Sequence, residues 1–515
     1  MPIRGTEVRL SPAWWMDRLF RKLSDHKRYN RLELLHQRYR GNPPLPEGAE
    51  AARELFTAFQ RKSLTNYAEL AVAAVSERMS PVGFRTAVDS DETGDSEARL
   101  AWSRARMNIV SADVHDMMLN LGEAYVIVGF MDEETGVPVV TAEDPRFVVG
   151  EPDPMNPYKL RAALKYMRDD IEGEDRAYLY LPGEVWVAKR EAPYSPAAAM
   201  VGPMNWSPET WSWVPERSGT LGHSEMCVVP FFNKDQQGEY EKHIDILDRI
   251  NYQTLSRLCT AALQAFKQRA IETQSGTGGL DTEDEDGKEI DWSEVFTSDP
   301  AAIWMLPEGA KIWESSTTDL RQILEVNKDD VMQFAAVTRT PMYYLNPGGA
   351  NQSADGAAMQ RESLLFKTND RINRASPQWA TTMALMFTVM GDTGRADLSQ
   401  LQTLWANPAR LSLAEKASAA VQVKDIIPWR SLMTYVFDFD PDTIERMESE
   451  REEEQLAAMQ RQQLLLAQAD QNNPDDQGED GETGNGNAGL NTDISGLAGG
   501  RRDVSTGNVP PQLAR

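Results

Sequence analysis

The sequence predicts a helix-rich α+β protein, and three features carry that prediction. Apolar residues recur at helical spacing through most of 13–122 and again from 239 onward. Between them, 124–214 is rich in β-branched and aromatic residues, cut into short runs by Gly, Pro and Asp turns. Finally, Glu239–Arg269 contains neither glycine nor proline, and at ~1.5 Å per residue it would make a rod of roughly 45 Å.

Ser11-Pro12 has the chemistry of an N-cap followed by proline at the first helical position. It predicts a helix over Ala13–Arg38 with Trp15, Leu19, Leu23, Leu32 and Leu35 on the apolar face, and Tyr39 just beyond it. Gly41-Asn42-Pro43-Pro44 stops that helix. A second is expected over Ala51–Met79, ended by Ser80-Pro81, and a third over Glu97–Gly122 with Trp102, Ile109, Val114, Met117, Met118 and Leu121 as its apolar positions. The period then changes. Ala124–Phe130 and Val137–Ala142 read as a hairpin across the Asp132–Gly136 turn. Pro138 cannot donate to a ladder, which assigns the second strand to a sheet edge. Strands at Phe147–Val149, Leu160–Met167, Arg176–Leu181, Glu184–Lys189 and Thr210–Val214 continue a meander.

Glu239–Arg269 carries the stripe Ile244, Leu247, Asn251, Leu255, Leu258, Ala262 and Ala265. Ser275–Gly279 breaks it. An acidic insert and Trp292–Trp313 form a small excursion with short strands, and Thr318–Thr338 returns as a helix. Two helices flanking an excursion predict an antiparallel pair that presents a small module at its tip. Asn346-Pro347-Gly348-Gly349 through Gly356 is loop chemistry, expected to be mobile. Ala357–Met390 is helical around Pro377, where a kink is expected because proline lacks a donor and crowds the preceding turn. Ser412-Leu413-Ala414-Glu415 is a capping box. Short and long helices follow at Pro428–Phe437 and Pro441–Ala469, and from Asn472 onward the composition is that of a disordered tail.

The chain has 515 residues, room for about three domains at ~150 residues each. Its 53 Lys and Arg against 79 Asp and Glu give a net charge of −26, which argues against gripping DNA by broad phosphate neutralisation. Acidic charge concentrates in Asp281–Glu294 and Asp440–Gly486. The longest apolar run, Ala124–Met131, is far short of the ~20 residues of a membrane span. Met1-Pro2-Ile3-Arg4-Gly5 lacks a signal-peptide core, and two lone cysteines, Cys227 and Cys259, give neither a disulfide framework nor a zinc cluster. They read as buried small apolar residues. There is no phosphate loop, H-E-x-x-H or G-x-S-x-G. Asp113, His115 and Asp116 are the one local metal-like group; on a helix they do not share a face and read as surface polar residues. The Asp281–Asp291 run reads as a solvated loop rather than a two-metal nuclease site.

The order of segments is more informative than any motif. The Leu34-Leu35-His36-Gln37-Arg38-Tyr39-Arg40-Gly41 helix end, the Gly122-Glu123-Ala124-Tyr125-Val126 helix-to-strand step, and Val228-Val229-Pro230-Phe231-Phe232-Asn233 before Ile246-Leu247-Asp248-Arg249 occur in that order. Asn351-Gln352-Ser353-Ala354-Asp355-Gly356 and Phe437-Asp438-Phe439-Asp440-Pro441 follow. Together, over roughly Trp14–Met459, they resemble the portal proteins of tailed bacteriophages, in particular long-tailed phages of Gram-positive, actinobacterial hosts.

That resemblance implies a wing at 1–238, stem helices at 239–270 and 317–339, and a clip at 271–316. It also implies a tunnel loop at 340–356, a wing helix at 357–390, a crown at 391–470 and a disordered tail at 471–515. Asn346, Gly348, Gly349, Asn351, Gln352, Ser353 and Asp355 would line the tunnel loop. Asp281, Glu283, Asp284, Glu285 and Asp286 would meet partners at the clip. The implied protein is a structural dodecameric ring in the virion, at the portal vertex of the capsid and assembled in the host cytoplasm. Double-stranded DNA would pass through it without sequence-specific contact. No enzymatic activity, cofactor or membrane is implied. Partners would be the terminase large subunit, which holds the ATPase, the head–tail adaptor, and the major capsid and scaffold proteins. Two other readings stand beside it: another virion protein such as a minor head or adaptor protein, and a carboxylate-dependent phage hydrolase.

Overall fold

The computed structural model describes residues 2–46, 53–89, 94–191, 206–265, 269–272, 311–314, 319–345, 354–409, 413–437, 439 and 441–471. The N-terminal helices are shorter than their apolar stripes suggest. The first stripe divides into α1 (Pro12–Leu23) and α2 (His26–Tyr39), because the Asp25 side chain accepts the Lys27 N–H and starts a new helix. The second divides into α3 (Arg53–Lys62) and α4 (Tyr67–Ser76). The third divides into α5 (Ser96–Arg104) and α6 (Met107–Leu121), separated by Arg106 at φ 54° in the left-handed region. The first break leaves the apolar phase intact, so Trp15, Leu19, Leu23, Leu32 and Leu35 are all buried as expected; beyond the break at Arg106, Ile109 of the expected stripe is instead exposed and Met117 half-buried, while Val114, Met118 and Leu121 are buried.

The strands are β1 (Pro81–Arg85), β2 (Glu123–Asp132), β3 (Val137–Glu143), β4 (Val148–Asp153), β5 (Asn156–Asp169), β6 (Glu174–Leu181), β7 (Glu184–Glu191), β8 (Ser212–Trp213), β9 (Gly219–Thr220) and β10 (Val228–Phe232). β2 is central in an antiparallel sheet ordered β10-β2-β3, which leaves β3 with its Pro138 at the edge. β4 to β9 form a second antiparallel sheet. α1 lays Trp15, Leu19, Phe20 and Leu23 on this sheet, where Phe20 stacks on Trp206 at 4.1 Å and Trp211 is buried beside it. Each such aromatic or aliphatic burial contributes about 1.5–3 kcal/mol.

Beyond the sheets, α7 (Ile244–Ala265) is followed by paired strands β11 (Arg269–Glu272) and β12 (Lys311–Glu314), then α8 (Leu320–Thr338). The expected helix over Glu239–Arg269 is thus trimmed at both ends. A 3₁₀ turn occupies Glu241–His243, and Arg269–Glu272 leaves the helix to pair with Lys311–Glu314 as a short antiparallel strand. The two helices run antiparallel. Arg249 bonds Gln333, Gln253 bonds Asp330, and Thr254 bonds Asn327, so partner numbers fall as the first helix advances. Most of the excursion, including Asp281–Glu294, lies outside the described residues.

The remaining elements are α9 (Met342–Leu345), α10 (Ala354–Met390), β13 (Gln402–Trp405), α11 (Leu413–Val423), α12 (Trp429–Tyr435) and α13 (Pro441–Gln471). β13 pairs with β1 across more than 300 residues of sequence, a contact no local pattern announces. α10 packs on β10, β2, β3 and α4 and forms the middle of the main core. The chain divides into two compact units, Met1–Arg446 and Met447–Arg515. The described part of the second is the continuation of α13, which exposes Leu456, Met459, Leu464 and Leu465.

Candidate functional site

The feature that stands out is the root of the α7/α8 hairpin, where buried charges fasten both of its feet. Glu239 lies just before the hairpin, 2% exposed at its side chain, and faces two cations on α10: Lys367 Nζ at 2.8 Å and Arg371 Nε at 2.6 Å. Lys367 Nζ also donates to the Thr338 carbonyl at 2.8 Å. Thr338 ends α8, so this carbonyl is one the helix leaves without an internal partner, and a cation there also suits the negative end of the helix dipole. One ammonium thus joins the entry of α7, the exit of α8 and α10.

Burial alone would raise the Glu239 carboxyl. The Lys367 charge and the Arg371 hydrogen bonds outweigh it and hold the group at about 2. Lys367, taken out of water, is pulled below its ordinary ammonium range despite Glu239. Asn233 Nδ2 donates to Glu239 at 3.0 Å, and Arg371 also contacts Asp370.

Further ties hold the first foot. Arg31 pairs with Glu241 at 2.6 and 2.7 Å, and Arg38 takes both oxygens of Asp248 at 2.7 and 3.0 Å. The Tyr240 hydroxyl lies 2.7 Å from both the Leu35 carbonyl and Asn120 Oδ1. Asn251, from the predicted stripe, is buried and accepts the Thr65 N–H and hydroxyl. Two glycines permit the close approach. Gly122, at φ +85° after α6, would put a Cβ 2.4 Å from the Gln236 carbonyl, and Gly238 one 2.2 Å from that of Asn120.

α10 is anchored on its other side by an aromatic cluster. Trp379 Nε1 donates to His115 Nε2 at 2.9 Å, Trp405 Nε1 to Ser376 Oγ at 2.7 Å, and Trp102 Nε1 to Asn108 Oδ1 at 2.7 Å. His115 is therefore a core residue and not the surface group its sequence context suggests. Burial pushes it down to about 3, so it is neutral at physiological pH. Asp113 is exposed and Asp116 meets the Tyr39 hydroxyl. Among the described residues no group of three or more His, Cys, Asp and Glu could hold a metal. Cys227 is buried, with its thiol pushed up to about 11; Cys259 is half-buried.

Of the residues singled out from sequence, Asn346, Gly348, Gly349, Asn351, Gln352 and Ser353 lie outside the described residues, as do Asp281, Glu283, Asp284, Glu285 and Asp286. Asp355 falls in the first turn of α10, which starts three residues earlier than expected. Pro377 sits inside α10, and the helix carries on through it to Met390. The carbonyl side of that turn is braced from outside, by Thr403 Oγ1 donating to the Ser376 carbonyl. The sequence reading missed Glu239, Lys367 and Arg371 as a site. Their signal was two cations four residues apart beside the buried stripe Leu364, Ile372, Ala375 and Trp379.

The structure thus defines an α+β protein whose sheets and central helix hold a long antiparallel hairpin by buried ionic ties. The chain belongs to the phage portal protein family of the SPP1 Gp6-like type, whose sequence model matches residues 20–457. It is 24% identical over 416 residues to the portal protein of Mycobacterium phage D29, covering 76% of this chain and 79% of that one. It is equally similar over 417 residues to the portal protein of Mycobacterium phage L5, with the same coverage. Solved structures that resemble it include the neck of a native gene transfer agent particle computed with C12 symmetry, at TM-score 0.40 and 10% identity, covering 79% of this chain and 98% of that one. The neck of the empty particle computed with C6 symmetry gives TM-score 0.43 and 13% identity, covering 79% and 93%.

Proposed function

We propose that this portal protein assembles as a dodecameric ring at one capsid vertex, a conduit for double-stranded DNA during packaging and ejection. The observation that carries the reading is the hairpin root, set within a chain that matches the family over residues 20–457. α7 and α8 correspond to the stem helices of a portal, and Lys367 and Glu239 bind both of them to α10, which spreads load from stem to wing. In the same reading, 1–238 and 357–390 form the wing, 271–316 the clip, 340–356 the tunnel loop and 391–470 the crown. The acidic balance suits a channel wall along which DNA slides without being held.

The role is structural. The ATPase belongs to the terminase large subunit, which would dock at the clip during packaging and give way to the head–tail adaptor. Capsid and scaffold proteins would surround the wing during assembly in the host cytoplasm. Among the described residues no helix is long and apolar enough to cross a membrane. The segment Asp281–Glu294, repeated around a ring, would make a negative rim that attracts basic partner surfaces.

Neutralising Asp281, Glu283, Asp284, Glu285 and Asp286 to their amides tests the clip assignment. Ring assembly should persist, while terminase or adaptor docking slows at low salt and converges with wild type at high salt. Docking rates unchanged across the salt series would remove the rim's role.

A further inference from the structure

We propose that the cleft over the hairpin root receives the β2–β3 turn of a neighbouring copy of this chain. The inference rests on the ring reading above and adds the surfaces that would join its subunits. A closed ring needs a heterologous interface, two different patches that fit each other. The unit Met1–Arg446 carries such a pair.

The first patch is a cleft of about 500 Å³ walled by 233–243, the end of α8 and α10. Lys234 and Arg339 are exposed there and have no ion pair among the described residues. Phe366, 65% exposed, and Val337 add an apolar surface.

The second patch is the turn Asp132-Glu133-Glu134-Thr135-Gly136. Asp132 turns inward, accepting the Glu134 N–H at 3.1 Å and the Thr135 hydroxyl at 2.9 Å, which fixes the turn. Glu133 and Glu134 are left exposed without an ion pair among the described residues. Beside them Phe130 is 76% exposed and Met131 37%. An anionic turn with a bare phenylalanine therefore matches a cationic cleft with another.

The two patches cannot meet within one subunit. β2 starts at Glu123, next to Gly122, which packs against the backbone of Gln236 and Gln237, the latter in the cleft wall. It then runs ten residues to Asp132, about 33 Å of extended strand. The turn is held at the far end of a rigid element whose near end adjoins the cleft. It can fill only the cleft of another copy, and repetition of that contact proceeds head to tail.

The test is a charge-swap mixture of full-length chains, read as the ring fraction by native mass and negative-stain images. Lys234→Glu with Arg339→Glu in one chain, and Glu133→Lys with Glu134→Lys in another, should each cut ring formation at least fivefold at low salt. Mixed one to one, the two variants should recover rings of alternating subunits, because every turn then faces a cleft of opposite charge. Wild-type ring yield from either variant alone would overturn the pairing. So would a mixture that stays unassembled while both variants keep wild-type circular dichroism. If a reversed variant fails to fold, Glu133→Gln with Glu134→Gln replaces it; assembly slowed severalfold at low salt and equal to wild type at high salt is expected, and no slowing overturns the pairing. A wild type that never forms rings would refute the ring reading itself, a distinct outcome from rings that ignore these charges.

Discussion

Replacing Glu239 by Gln is the sharpest probe of the hairpin root. The carboxylate has 2% of its side chain exposed and lies 2.8 and 2.6 Å from Lys367 and Arg371. Glutamine keeps the size and one acceptor but leaves two buried cations facing a neutral group. Removing one partner of a buried pair costs about 3–5 kcal/mol, and that is the expected loss at pH 7. The pH dependence has a definite sign. The carboxyl is lowered from 4.5 to about 2, so its contribution is fully present above about pH 4.5 and is lost as pH falls through about 2. At 1.36 kcal/mol per pH unit the ceiling is about 3 kcal/mol. The downward shift of Lys367 offsets part of this, because burial penalises its charged form. Urea unfolding followed by tryptophan fluorescence, in a double-mutant cycle with Lys367→Met, gives the coupling. Coupling of at least about 2 kcal/mol is expected. A Glu239→Gln loss below about 0.5 kcal/mol, or zero coupling, would refute the claim that this pair fastens the root.

Three further outcomes follow. Gly122→Ala should destabilise by more than the ~1–2 kcal/mol cost of left-handed backbone, because its Cβ meets the Gln236 carbonyl; the same unfolding assay reads it. His115, held neutral at about 3 against 6.5 when exposed, contributes fully above pH 6.5 and loses stability as pH falls toward 3. At pH 5 the cost is about 2 kcal/mol, and His115→Gln, whose amide can still accept from Trp379, should lack that slope between pH 6.5 and 5. Pro377→Ala would return a donor to the Asn373 carbonyl inside α10 and should raise the unfolding midpoint; a lowered midpoint would mean the proline conformation is required there.

Much of this fold could be read from local pattern, because burial and periodicity are local signals. Trp15, Leu19 and Leu23 announce α1, Pro138 announces an edge strand, and the unbroken run after Glu239 announces one arm of the hairpin. What escaped depended on partners distant in sequence. The break at Asp25 leaves the apolar phase unchanged, so the stripe alone reads as one helix, whereas the break at Arg106 turns Ile109 of the expected stripe outward. β1 and β13 pair across the whole protein, and each is too short to stand out. His115 between two aspartates looks solvated until Trp379 and Trp405 close over it. Glu239, Lys367 and Arg371 are ordinary charged residues along the chain; only tertiary packing makes them a buried triad.

Electron microscopy of the purified full-length chain, across a concentration and salt series, tests the central claim most directly. Closed rings with a central channel wide enough for duplex DNA, built from a single repeated head-to-tail contact, are expected. Monomers alone, or two-fold symmetric dimers alone, at every concentration would contradict it.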